Sequence, residues 1–189
     1  SILNQTFKFF ELIIVNDGST DETHNYLSSL NDERIIYIKK DNEKLPAALN
    51  TGLKMCKGKY ITWTSHDNYY STDAFIQFYT ALEKYPEVDF VYSSHKFFGD
   101  KNNIVYAKPK TILDFILRFS GVCGFMWSKK ISDKVGLFDT NLNGIEDYDY
   151  WIRILLENPK FLGIQKVLYN YNVHNNSMSN KLIKNNSYF

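Results

Sequence analysis

Glu11-Leu12-Ile13-Ile14-Val15-Asn16-Asp17-Gly18-Ser19-Thr20-Asp21 decides how the rest of the 189-residue chain is read. Five residues from Glu11 to Val15 form a short, largely β-branched apolar run, which suits a strand buried on both faces. Asn16-Asp17-Gly18-Ser19 then breaks the pattern with turn residues. Ser19 or Thr20 can cap a following helix, and Asp21 and Glu22 in its first turn complement the helix dipole. A strand, a turn and a helix over Thr20–Leu30 are therefore expected.

The same unit recurs downstream. Arg34–Ile38 reads as a second strand. A helix opened by Pro46 carries Ala47, Ala48, Leu49 and Leu53 and stops near Gly58. Tyr60–Thr64 reads as a third strand, running into Ser65-His66-Asp67-Asn68. Phe75, Phe78 and Leu82 give helical spacing over 74–85, ended by Pro86. Phe90–Ser93 is a fourth strand. The order strand, helix, strand, helix predicts an α/β domain with a mostly parallel sheet between helices. Right-handed crossovers put the strand carboxyl ends on one edge, where open α/β sheets bind ligands. Asp17 and Asp67 both fall there. The second half is less regular: helices over 112–119 and 147–157, and strands over 121–127 and 167–173, are expected in one domain spanning 1–189.

Composition narrows the function classes. Formal net charge is +1, and acids interrupt the lysines, so no stripe suited to nucleic acid is present. Cys56 and Cys123 lie far apart without metal-ligand spacing, which suits buried free thiols in a reducing compartment. No apolar run approaches the roughly 18 residues of a membrane span, and no signal peptide is evident. A cytoplasmic location is expected, with peripheral association at the inner face of the membrane left open. Aromatic residues reach 16%, with 14 Tyr and 14 Phe. Rings can stack on sugars or bases, but packing is their commoner use.

Three acidic positions carry candidate chemistry. Asp67, after a strand and before Asn68, suits a hard divalent cation, which prefers carboxylate, water and phosphate oxygens. Asp17 suits a hydrogen bond from a ribose or nucleobase. Glu146-Asp147 opens a helix and suits proton abstraction from a hydroxyl. Each also has a plain structural reading, as a turn former or a partner of the helix dipole. His174, after the last strand, is by itself more often a surface or structural residue than a ligand.

The series is more specific than its parts. Asn4-Gln5-Thr6, Glu11–Asp21, Pro46–Gly52, Lys57–Ile61, His66-Asp67-Asn68, Glu146–Arg153 and Tyr171–Ser179 occur in an order that resembles family 2 glycosyltransferases. The resemblance covers nearly the whole chain. It implies a GT-A fold, a three-layer α/β/α sandwich, and inverting transfer of a sugar from a nucleotide diphosphate donor, a UDP-sugar being favoured. The implied acceptor is a glycan or lipid-linked hydroxyl in cell-surface polysaccharide or glycolipid synthesis. The implied cofactor is a divalent cation, Mn²⁺ or Mg²⁺. Asp147 matches the proposed general base, with Glu146 as neighbour and substitute. Asp17, Asn16, Asn50 and His66 fall on the donor-nucleotide side. Asp67 matches the metal-binding acid, and His174 lies in a loop that closes over the donor in some relatives.

Departures from the pattern define a rival reading. Ser65 stands where the metal motif usually begins with Asp, Asn16 replaces an acid, and Leu49 stands where many relatives carry Arg. Ser65 and Leu49 favour a catalytically inactive binding or scaffold protein on the same fold, whereas Glu146-Asp147 favours the enzyme. The resemblance also implies a strand and half a helix ahead of Ser1. The sheet is therefore expected to lack its first strand.

Overall fold

A computed structural model describes residues 1–108, 122–175, 177 and 180. The strands are β1 (Leu12–Asp17), β2 (Ile35–Lys40), β3 (Tyr60–Ile61), β4 (Tyr69–Tyr70), β5 (Val88–Gly99), β6 (Ile104–Val105), β7 (Phe125–Ser128) and β8 (Lys160–Val173). The helices are α1 (Thr23–Ser28), α2 (Leu45–Met55), α3 (Ala74–Lys84), α4 (Lys129–Val135) and α5 (Glu146–Leu156). The helix expected over 112–119 lies outside the described residues.

Helices lie on both faces of the larger sheet, whose order is β3-β7-β5-β8-β4 with β6 on β5. Successive β5 side chains point to opposite faces. Phe90 and Tyr92 join Phe125, Trp127, Tyr150, Trp151 and Ile154 in one core cluster, under α4 and α5. Val91 joins Tyr70, Phe75, Phe78, Leu82 and Leu168 in the other, under α3. This is the three-layer α/β/α arrangement expected.

The long runs pair in parallel, β1 with β2 and β5 with β8. The short strands do not: β3 and β5 pair antiparallel with β7, β4 with β8, and β6 with β5. The sheet is thus more mixed than alternating strands and helices suggest, because β4 and β6 are not reached by helical crossovers.

β1 was read as a buried strand, yet Leu12 to Val15 are only part-buried. The reason is a seam. β1 and β2 form a separate two-stranded sheet, and no ladder joins β1 to β3 among the described residues. An apolar slot of about 390 Å³ lies between these edges, lined by Ile13 and Val15, by Leu49 and Leu53 of α2, and by Ile61 and Trp63. Two ties cross nearby. Asn50 donates to the Phe138 carbonyl (2.9 Å) and accepts from the Phe138 N–H (2.8 Å). Glu11 accepts from the N–H groups of Lys57 (2.6 Å) and Gly58 (2.9 Å).

Helix α1 is shorter than expected and starts later. Asp21, rather than Ser19 or Thr20, accepts from the Thr23 N–H (3.0 Å), while the Ser19 N–H is taken by the Asn16 side chain (2.9 Å). Gly18 makes the turn at φ +79, and a Cβ there would lie 2.7 Å from the Asn42 nitrogen.

Candidate active site

The turn after β1 holds Asp17 rigidly. Its register partner is Lys40 at the end of β2. Asp17 Oδ1 accepts from Lys40 Nζ (3.3 Å) and from the Glu43 N–H (3.0 Å), and its carbonyl accepts from Asn42 (3.0 Å). Its side chain is 16% exposed and that of Lys40 is 18%. Lys40 also pairs with Glu43, and the two acids together hold its ammonium above the ordinary lysine range.

Asn16 and Asn50 are placed differently. Asn16 is buried, donates to the Tyr37 hydroxyl (3.0 Å) and ties down the turn at Ser19. His24 Nδ1 lies 2.9 Å from the same hydroxyl. Asn50 is 7% exposed and clasped by Phe138. Both therefore act as internal ties, which a polar letter in a sequence does not reveal.

Asp67 sits in the loop after β3. Its Oδ1 accepts from the Ser65 hydroxyl (2.7 Å), and its Oδ2 lies 3.0 Å from His174 Nε2. The structure thus joins two groups 107 positions apart in the chain. Burial pushes the Asp67 carboxyl up, but the hydrogen bonds from His174 and Ser65 outweigh it and hold the group below its ordinary range. Asn68 fixes the loop, donating to Ser65 (2.6 Å) and accepting from the Asn172 N–H of β8 (2.8 Å). The His66 side chain is exposed.

One carboxylate and one imidazole suit a borderline cation such as Mn²⁺ better than Mg²⁺. Among the described residues no group of three or more His, Cys, Asp or Glu could hold an ion. Asp67 Oδ2 and His174 Nε2 pair with each other at 3.0 Å, so a cation held by both would have to part them and take its other ligands from phosphate oxygens and water.

Glu146 and Asp147 begin α5, with Asp149 in the same turn. Glu146 is 2% exposed and accepts from the Gly144 N–H. Asp147 Oδ1 accepts from the Tyr148 N–H (2.8 Å). Burial, then the neighbouring Glu146 charge, pushes the Asp147 carboxyl up to about 6. The helix is anchored behind the acids: Tyr150 stacks on Phe138 (ring centroids 4.0 Å apart), and Arg153 pairs with Asp149 (2.8 Å). No hydrogen bond among the described residues joins Asp147 to Asp17 or Asp67.

Sequence reasoning missed Lys40, Glu43 and Tyr37. The register Asp17↔Lys40 was within reach, since both residues close adjacent parallel strands.

Comparison with known proteins follows the same lines. A model described as "Glycosyl transferase family 2" matches residues 1–187. A glycosyltransferase of Rickettsia prowazekii is 35% identical over 185 residues, covering 92% of this chain and 56% of the relative. WfaP of Escherichia coli, a UDP-Glc:alpha-D-GlcNAc-diphosphoundecaprenol beta-1,3-glucosyltransferase, is 32% identical over 184 residues, covering 95% of this chain and 72% of WfaP. Among solved structures, Staphylococcus aureus TarS with UDP-GlcNAc superposes at TM-score 0.81 and 17% identity, over 94% of this chain and 54% of TarS. The mannosyltransferase PcManGT of Pyrobaculum calidifontis, with GDP-Man and Mn²⁺, does so at 0.69 and 17%, over 93% and 52%. The chain spans about half the length of the Rickettsia relative.

Proposed function

The chain belongs to glycosyl transferase family 2, with the GT-A fold, and we propose that it moves a sugar from a nucleotide diphosphate donor to an acceptor hydroxyl with inversion at the anomeric carbon. The observation that carries this reading is Asp147, a carboxylate whose pKa of about 6 poises it to take a proton near neutral pH. In the proposed step, Asp147 removes the proton of an acceptor hydroxyl, and the oxygen attacks C1 from the face opposite the nucleotide. The transition state is oxocarbenium-like, as in glycoside hydrolysis. Glu146 raises the basicity of Asp147 and is the substitute base.

Asp17 takes the nucleotide, accepting from a ribose or base N–H or O–H group, with Lys40 and the Glu43 N–H fixing its carboxylate. Asp67 and His174 would hold a divalent cation, which when bound supplies charge to the departing diphosphate. A UDP-sugar is favoured, in keeping with the UDP-GlcNAc complex of TarS and the name of WfaP. That name, and that of the colanic acid relative WcaA, support an acceptor in cell-surface polysaccharide or glycolipid synthesis. No helix among the described residues is long and apolar enough to cross a membrane. We propose a cytoplasmic site of action, with peripheral contact at the membrane.

The test is a panel of nucleotide sugars with Mn²⁺, read as nucleotide release by the full-length polypeptide. Asp147→Asn is expected to lower turnover about 10²–10⁴-fold with donor affinity retained. If Glu146→Gln is the more damaging change, the base is Glu146. The sparse metal corner at Ser65 and Asp67 favours one rival, a binding protein without turnover. Tight nucleotide binding with no release from any donor would establish it.

A further inference from the structure

The far side of the larger sheet carries an aromatic pair that the donor-side chemistry leaves unused. Tyr69 of β4 and Phe98 of β5 lie on either side of β8, with ring centroids 5.3 Å apart at 54°. Tyr69 pairs with Asn170, as does Lys96, and Phe98 pairs with Asn172. Paired residues share a face of the sheet, and residues two apart on a strand do also. Tyr69, Asn170, Asn172, Phe98 and Lys96 thus share one face. Tyr69 is 44% exposed and Phe98 is part-buried. The Asn172 amide lies over Gly99, where a Cβ would come within 2.6 Å of Oδ1.

We infer that this face is a platform for the acceptor, taking one pyranose ring of a glycan. The inference rests on the glycosyltransferase reading and deepens it. A pyranose has an apolar face of C–H bonds with partial positive charge, which suits the negative face of an aromatic ring. It also has a rim of hydroxyls, each a donor and an acceptor, which suits amide side chains that offer both. Two rings with two amides on one face meet both demands.

Position says which substrate sits here. The loop carrying Asp67 lies between two regions. On one side Ser65 lines the slot shared with Val15 of β1, the strand that ends in Asp17. On the other, Asn68 is hydrogen-bonded to Asn172 of the platform at 2.8 Å. β4 and β8 close the sheet at the end away from β3. The platform is therefore continuous with the Asp67 corner but on the side away from Asp17. An acceptor belongs there, since the sugar is transferred between the two.

The experiment titrates this chain with cellobiose and N,N′-diacetylchitobiose, by saturation-transfer NMR and tyrosine fluorescence. Saccharide binding in the millimolar range is expected, weakened at least fivefold by Tyr69→Ala and by Phe98→Ala. Tyr69→Leu, which keeps bulk without an aromatic face, is expected to weaken it equally, and Tyr69→Trp to retain it. Melting curves of each variant show whether the fold is kept, and the Leu and Trp variants decide if Ala unfolds the chain. Absence of binding by the parent chain, binding unchanged in Tyr69→Leu and Phe98→Ala, or displacement of saccharide from these rings by UDP overturns the platform. Nucleotide release in the donor panel with no saccharide effect leaves the transferase standing and removes only the platform. Saccharide bound through Tyr69 and Phe98 with no nucleotide release from any donor removes the transferase and leaves a saccharide-binding face.

Discussion

Asp147, the proposed base, carries a cost. Its native pKa of about 6 lies above the ordinary 3.8, because burial and Glu146 disfavour the charged form. The native state therefore keeps this proton after the unfolded chain has released it, and stability falls as pH rises from about 4 through about 6. Above that window the carboxylate is ionised at a site that resists it. Asp147→Asn is accordingly expected to stabilise the fold at pH 7.5 by about 1–2 kcal/mol, after allowance for screening at a part-exposed group. Below pH 4 the gain should vanish. Melting temperatures of the two proteins at both pH values check this. A stability gain accompanied by lost turnover would mark the residue as one held under strain for function. The positions of Asp17, at the end of β1, and of Asp147, in the first turn of α5, were legible from the flanking pattern. The Asp67–His174 contact was not, because partners 107 positions apart meet only through the pairing of β4 with β8. Asn16 and Asn50 are buried and hydrogen-bonded internally, which the sequence does not show, since polarity says nothing about burial.

Among elements, the turn between β1 and α1 carries the proposed nucleotide contact at Asp17. Gly18 adopts φ +79, and an added Cβ would meet the backbone of Asn42, which also positions the Asp17 carbonyl. Gly18→Ala should cost about 1–3 kcal/mol in strain and weaken nucleotide binding. Denaturant unfolding and nucleotide titration of the variant would show both losses, whereas unchanged affinity would detach Asp17 from the nucleotide. Elements with a strong period were legible: α3 was expected over 74–85 and forms at Ala74–Lys84. β4 and β6 were not, since two residues give no period. β5 and β8 extend well beyond their apolar cores. Their outer residues, such as Lys96 and Asn170, are held by partner strands rather than by their own pattern.

For the molecule as a whole, the decisive feature is the seam. β1, α1, β2 and α2 form a unit with its own two-stranded sheet, while β5 and β8 share the longest ladder of the larger one. Local opening follows contact density and burial. Amide hydrogens of Ile13–Val15 are expected to exchange at least about 100-fold faster than those of Val91–Ser93, as native-state exchange monitored by NMR would show. Equal protection would mean that the two sheets open as one. The α/β layering followed from the order of apolar runs, but the break between β1 and β3 could not be read from any single strand. Asp17 lies on one side of that break, Asp67 and Asp147 on the other. A donor held between Asp17 and Asp67 would work as a fastener across two loosely joined halves, so its arrival should be felt as stiffening, and melting temperature becomes a gauge of occupancy.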